Sequence, residues 1–151
     1  MRKPLKARNA ILVALFAFAA WPHLGSAQAL QFYSLTPCRA VDTRSGYGGI
    51  VYAATTRNFQ MKSVCGVPSD AKTVTVNVTM VGPTQMGYVV VWPAGTSMPA
   101  VSNINANAGE PAIANGAVVP IATSSPDLSL AYGTAGGGTT HVLLDVTGYF
   151  K

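Results

Sequence analysis

Between Lys72 and Pro93 polar and apolar residues alternate along the chain. Thr73, Thr75, Asn77 and Thr79 interleave with Val74, Val76, Val78 and Met80. Successive side chains of a strand point to opposite faces, so this period of two predicts a strand with one apolar and one polar face. Gly82-Pro83-Thr84 ends it, since proline lacks the N–H a ladder needs and glycine loosens the backbone. A second strand is predicted over Gly87 to Trp92, stopped by Pro93. It carries Val89 and Val91 on one face and Tyr88, Val90 and Trp92 on the other. Two strands are not stable alone and require partner strands and a second layer.

The remainder supplies them. Leu30 to Leu35 (with Phe32 and Tyr33) predicts a short apolar strand stopped by Pro37, and Cys38 to Thr43 a separate one. A glycine-rich loop, Ser45 to Gly49, separates these from a strand over Thr56 to Lys62. Further strands are predicted over Val101–Asn105 and Ala117–Ile121, the latter an edge or bulge because it contains Pro120. Leu128–Tyr132 and His141–Phe150 complete the set, the last with Val142, Leu144 and Val146 opposite His141, Leu143 and Asp145. Ala106 to Pro111 reads as loop. No stretch after residue 30 holds a helical stripe. The expected fold is all-β, an antiparallel, jelly-roll-like β-sandwich of about eight or nine short strands.

The first 29 residues have a different pattern. Arg2, Lys3, Lys6 and Arg8 precede the apolar run Ala10–Trp21, and Ala27-Gln28-Ala29 is a small-x-small cleavage site. A run of twelve is too short to span a bilayer. Residues 1–29 are therefore expected to be a secretory signal peptide, with 30–151 a single exported domain and no membrane span after cleavage. This division changes the charge reading. The whole chain has ten Lys and Arg against five Asp and Glu. Residues 30–151 keep six cations against the same five acids, a net charge of +1. Without a basic patch, nucleic acid is excluded as a partner. Cys38 and Cys65, the two cysteines of the chain, are expected to form a disulfide in an oxidising compartment. A redox or metal pair is disfavoured, since CxxC spacing and neighbouring histidines are missing.

Several short motifs follow one another along the chain. They are Leu35-Thr36-Pro37-Cys38-Arg39 with Val41-Asp42-Thr43-Arg44, then Cys65-Gly66-Val67-Pro68, and Val76-Asn77-Val78-Thr79 with Pro83-Thr84 and Gly87-Tyr88. Pro93-Ala94-Gly95 with Pro99, Ser102-Asn103, and Thr140-His141-Val142 with Asp145 to Phe150 follow in order. Together they span nearly all of residues 30–151. On these motifs the chain resembles a β-domain of secreted and cell-surface proteins of bacteria, of actinobacterial and acidobacterial type. The resemblance implies an extracellular setting. Such domains often carry a small polar residue where this chain has Val90, so this sheet face is expected to be more apolar.

Candidate chemistry is sparse. His141 and Asp145 share a strand face but are four residues apart, roughly 13 Å at the usual rise. A Ser-His-Asp hydrolase needs direct contacts, and no G-x-S-x-G elbow is present. Scattered acids without a D-x-D-x-D loop or a histidine pair give no metal site, and no cofactor is expected. Arg39, Asp42 and Arg44 are expected to be a structural ion-paired group, with an anion site the less favoured reading. Asn77-Val78-Thr79 matches a glycosylation sequon, read here as strand polarity. Tyr88, Val90 and Trp92, with Tyr47 on the glycine-rich loop, are candidate ligand contacts, because flat aromatics stack on sugar rings; burial in the sheet packing is the competing reading.

The expected function is a non-catalytic, extracellular structural or interaction protein of the bacterial cell surface or matrix. Leu30, Phe32, Tyr33 and Leu35 are the candidate assembly strand, expected to be unpaired and free to complete a neighbour's sheet edge. The expected partners are copies of the chain itself or cell-surface polysaccharide. The alternative is a carbohydrate- or surface-binding adhesion module.

Overall fold

A computed structural model describes residues 29–151. The expected signal segment therefore lies outside the described residues, apart from its last residue. Among the described residues there are nine strands and no helix. They are β1 (Phe32–Asp42), β2 (Val51–Tyr52), β3 (Thr56–Phe59), β4 (Thr73–Val81), β5 (Gly87–Pro93), β6 (Ile104–Ala106), β7 (Ala112–Pro120), β8 (Leu128–Thr134) and β9 (Thr139–Phe150).

These strands form two antiparallel sheets packed face to face, so the β-sandwich is as expected. One sheet has the order β1-β9-β4-β7, with β2 added to β9, and the other has the order β3-β8-β5-β6. The antiparallel pairs β1·β9, β3·β8, β4·β7 and β5·β6 match the first half of the chain to the second half in reverse. The chain is thus one long hairpin wrapped into two sheets, which is the jelly-roll arrangement. Its tip is the segment between β5 and β6.

The core lies between the sheets. Val74, Val76, Val78 and Met80 of β4 join Val142, Leu144 and Val146 of β9 from one side. Val89 and Val91 of β5 with Leu128, Leu130 and Tyr132 of β8 meet them from the other. The alternation in β4 decides this directly: Val74, Val76, Val78 and Met80 are buried and its threonines half-exposed. Tyr132 is fully buried, and its hydroxyl donates to the Gln85 carbonyl at 2.5 Å; among the described residues no buried side-chain nitrogen or oxygen lacks a hydrogen-bond partner.

Three strand expectations are corrected. Leu30–Leu35 and Cys38–Thr43 are not separate strands. They form one strand, β1, whose register against β9 slips between Ser34 and Cys38. Pro37 falls in that slip at a sheet edge, where a missing N–H costs no ladder bond. β7 begins at Ala112, five residues earlier than Ala117, because pairing with Val78–Val81 imposes extension on Ala112, Ala114 and Asn115, residues of weak β-propensity. The two-residue strand β2 was not expected at all; Val51 is buried and pairs with Thr140.

Cys38 and Cys65 form the expected disulfide, S–S 2.02 Å, closing a loop of 27 residues. Loop closure of this length stabilises a fold by about 3–4 kcal/mol. It ties edge strand β1 to the segment leading into β4.

Candidate functional site

Three surfaces carry the residues singled out from sequence. The first is the charged group on the outer face at the β1–β9 edge. Register places Arg39 opposite Asp145 and Asp42 opposite Leu143. Arg39 grips Asp145 with two hydrogen bonds, 2.7 and 2.9 Å, and approaches Asp42 at 3.6 Å. Arg44 holds Asp42 through Nε at 3.0 Å and Nη2 at 2.7 Å. The Arg44 guanidinium is the main reason that the Asp42 carboxyl is held well below its ordinary value of 3.8, with the Arg44 backbone N–H and the Arg39 charge adding to it. Asp145 is a fourth member that sequence distance concealed, 106 residues from Arg39. The pattern is a network of mutual partners, and each carboxylate already has a guanidinium.

His141 sits beside this group. Its Nδ1 lies 3.2 Å from Thr43 Oγ1, and that hydroxyl oxygen also accepts a hydrogen bond from the Val142 N–H at 2.8 Å. Asp145 is engaged by Arg39. The two residues that a hydrolase would couple thus have separate partners.

The second surface is the end of the sheet where residues 31–34 meet residues 148–151. Phe32 pairs with Phe150, Tyr33 with Tyr149 and Ser34 with Gly148. The Phe32 and Phe150 rings are 5.1 Å apart and tilted; Tyr33 and Tyr149 stack at 5.1 Å and 11°. A Cβ built on Gly148 would lie 2.6 Å from the Phe32 ring, so glycine is what lets Phe32 seat. This corrects the expectation of an unpaired N-terminal strand: the Phe32–Ser34 segment already has a partner along one side. It stays largely exposed, as do Leu30, Phe32 and Tyr33 individually, whereas Leu35 packs partly against the core.

The third surface is the outer face of the β3-β8-β5-β6 sheet. Here the structure separates the candidate contact residues. Val90 and Trp92 are 1 % and 5 % exposed and form a small cluster with Ala131. The hairpin tip after β5 folds back on them, with Trp92 Nε1 donating to the Thr96 carbonyl at 3.1 Å. Trp92 and Val90 are therefore packing residues rather than surface contacts, because the tip supplies a lid that strand alternation cannot reveal. Tyr88, 38 % exposed, remains at the surface. Tyr47 is also exposed, but it lies on the loop after β1, where its carbonyl accepts from Arg57, and it lines none of the clefts around Tyr88.

Sequence reasoning passed over Asp127. Its side chain is fully buried just ahead of β8, and its carboxylate accepts the backbone N–H groups of Met61 at 2.7 Å and Lys62 at 2.9 Å. Its backbone carbonyl accepts those of Ala94 and Ala122. One acid thereby fastens three chain segments at one end of the sandwich. The only signal for it in the sequence is an acid directly ahead of an apolar strand.

No protein-family model and no curated protein matches the chain. Among the described residues, no group of His, Cys, Asp or Glu is arranged to hold a metal ion, and no helix is long and apolar enough to cross a membrane.

Proposed function

We propose that the chain is an exported, non-catalytic structural protein of the bacterial cell surface or matrix that assembles with copies of itself through its N-terminal strand. The observation that carries this reading is the seat of Phe32–Ser34 on the end of β9. Phe32–Ser34 rests on Gly148–Phe150 through two aromatic pairs and a glycine notch, but is separated from the rest of β1 by the register slip before Cys38. Beyond the slip, the disulfide fixes the strand to its own domain.

The same contacts form whether the segment comes from the chain's own N-terminus or from a neighbour's, so exchange between copies changes little contact energy. The choice is then set by tether entropy and concentration. The opposite edge of this sheet also favours association. β7 is a nine-residue edge strand without a charge, and Val118 on it is 63 % exposed. Long uncharged edges invite strand addition, and a near-neutral domain has little repulsion to oppose it. The non-catalytic part of the reading is supported by His141 and Asp145 having separate structural partners.

The test is size-exclusion chromatography and electron microscopy of residues 30–151 at rising concentration. It is paired with the double variant Phe32→Cys, Phe150→Cys, whose positions are register partners. High-mass species are expected that vanish when residues 30–35 are deleted, and oxidation of the double variant is expected to give covalent oligomers. A monomer at every concentration, with the new disulfide formed within single chains, overturns the proposal.

A further inference from the structure

Tyr88 stands between β8 and β6, with Gly133 as its cross-strand partner on one side and Asn105 on the other. The outer half of its ring, Cε2, Cζ and Oη, occupies the space that a side chain at Gly133 would fill. Glycine at 133 therefore lets the ring lie down across the sheet instead of standing away from it, leaving one face toward solvent. A ring held this way is a platform whose orientation is set before any ligand arrives, which lowers the entropic cost of binding.

Tyr88 borders three open clefts of about 450, 520 and 290 Å³. The first is lined by Asn105, Asn107 and Thr134, and the second by Ser102. Met98 forms a wall shared by the second and third. Sequence places no charged residue in the lining of any of them. A site without charge disfavours ionic ligands, whose desolvation nothing here would offset. Amide side chains both donate and accept, and the Thr134 hydroxyl, whose proton goes to the Gly137 carbonyl, still accepts, as a ring of sugar hydroxyls requires. The apolar face of a pyranose matches the free face of the tyrosine. Three depressions meeting at one ring suit a run of sugar units better than a single one.

We infer that the trough around Tyr88 binds a neutral polysaccharide, with Tyr88 as the stacking platform, Gly133 as its positioning residue and Asn105, Asn107 and Thr134 as hydroxyl partners. This site is on the opposite sheet from the proposed assembly seat, so either can fail without the other.

The experiment is retention of residues 30–151 on insoluble cellulose, chitin, mannan and starch, with alginate as an anionic comparison, measured for wild type, Tyr88→Ala and Asn107→Ala. Asn107 is exposed, so its variant keeps the test informative should Tyr88→Ala loosen the sheet. Wild type is expected to be retained on at least one neutral polymer. Affinity is expected to fall about tenfold in Tyr88→Ala, equivalent to about 1.4 kcal/mol, and several-fold in Asn107→Ala, with an unchanged melting curve in the latter. No retention on any neutral polymer, retention on alginate alone, or undiminished retention in both variants overturns the assignment.

Discussion

Replacing Asp127 tests how the sandwich is closed at one end. The carboxylate is fully buried and accepts two backbone N–H groups, Met61 at 2.7 Å and Lys62 at 2.9 Å, in a segment with no sheet partner of its own. Asp127→Ala removes both acceptors and strands the Met61 N–H inside the fold. Hydrogen bonds to a charged group contribute about 1.5–3 kcal/mol each, and an unsatisfied buried donor costs about 1–3 kcal/mol. Since these overlap, the expected loss is about 3–5 kcal/mol, a large share of the roughly 5–15 kcal/mol that holds a domain together. Asp127→Asn keeps one acceptor and turns an amide N–H₂ toward the other donor, so its loss should fall between those of wild type and Asp127→Ala. Urea unfolding followed by tryptophan fluorescence and circular dichroism measures both, with an unchanged slope expected. Asp70→Ala is the control, because Asp70 is exposed and only 3.7 Å-close to Lys151, and it should leave the midpoint where it is. An Asp127→Ala midpoint within about 1 kcal/mol of wild type would refute the assignment of Asp127 as the fastener of this end.

Two further outcomes follow from the same geometry. Trp92→Ala should destabilise the domain by about 3–5 kcal/mol, since it empties a buried indole site and removes the bond to Thr96; a variant that melts like wild type while losing polysaccharide retention would restore Trp92 as a surface contact. The Asp42 carboxyl is held in its charged form, chiefly by Arg44. A depressed carboxylate contributes stability above its unfolded value, so its contribution should be complete down to about pH 4 and be lost as pH falls further. Asp42→Asn should flatten that part of a stability profile taken below neutral pH, and an acid limb identical to wild type would count against the pairing.

Local pattern was enough for the class of fold. The Thr and Val alternation in β4 fixes which of its faces is buried, because a strand has no other way to present a period of two. The disulfide followed from an even cysteine number together with the expectation of export. Asp42 with Arg44 was legible because the two are neighbours in sequence. What sequence could not show is whatever depends on contact between distant segments. Asp145 joined to Arg39, the tip after β5 closing over Trp92, the seat of Phe32 on Gly148 and the buried role of Asp127 all bring together residues with no shared local signal. Tyr88 and Trp92 make the point most clearly. They occupy the same face of the same strand and look alike in sequence, yet one is covered by a returning loop and the other is laid open across a glycine. Periodicity along the chain determined which side each residue faces, whereas only the folded arrangement decided what lies on that side.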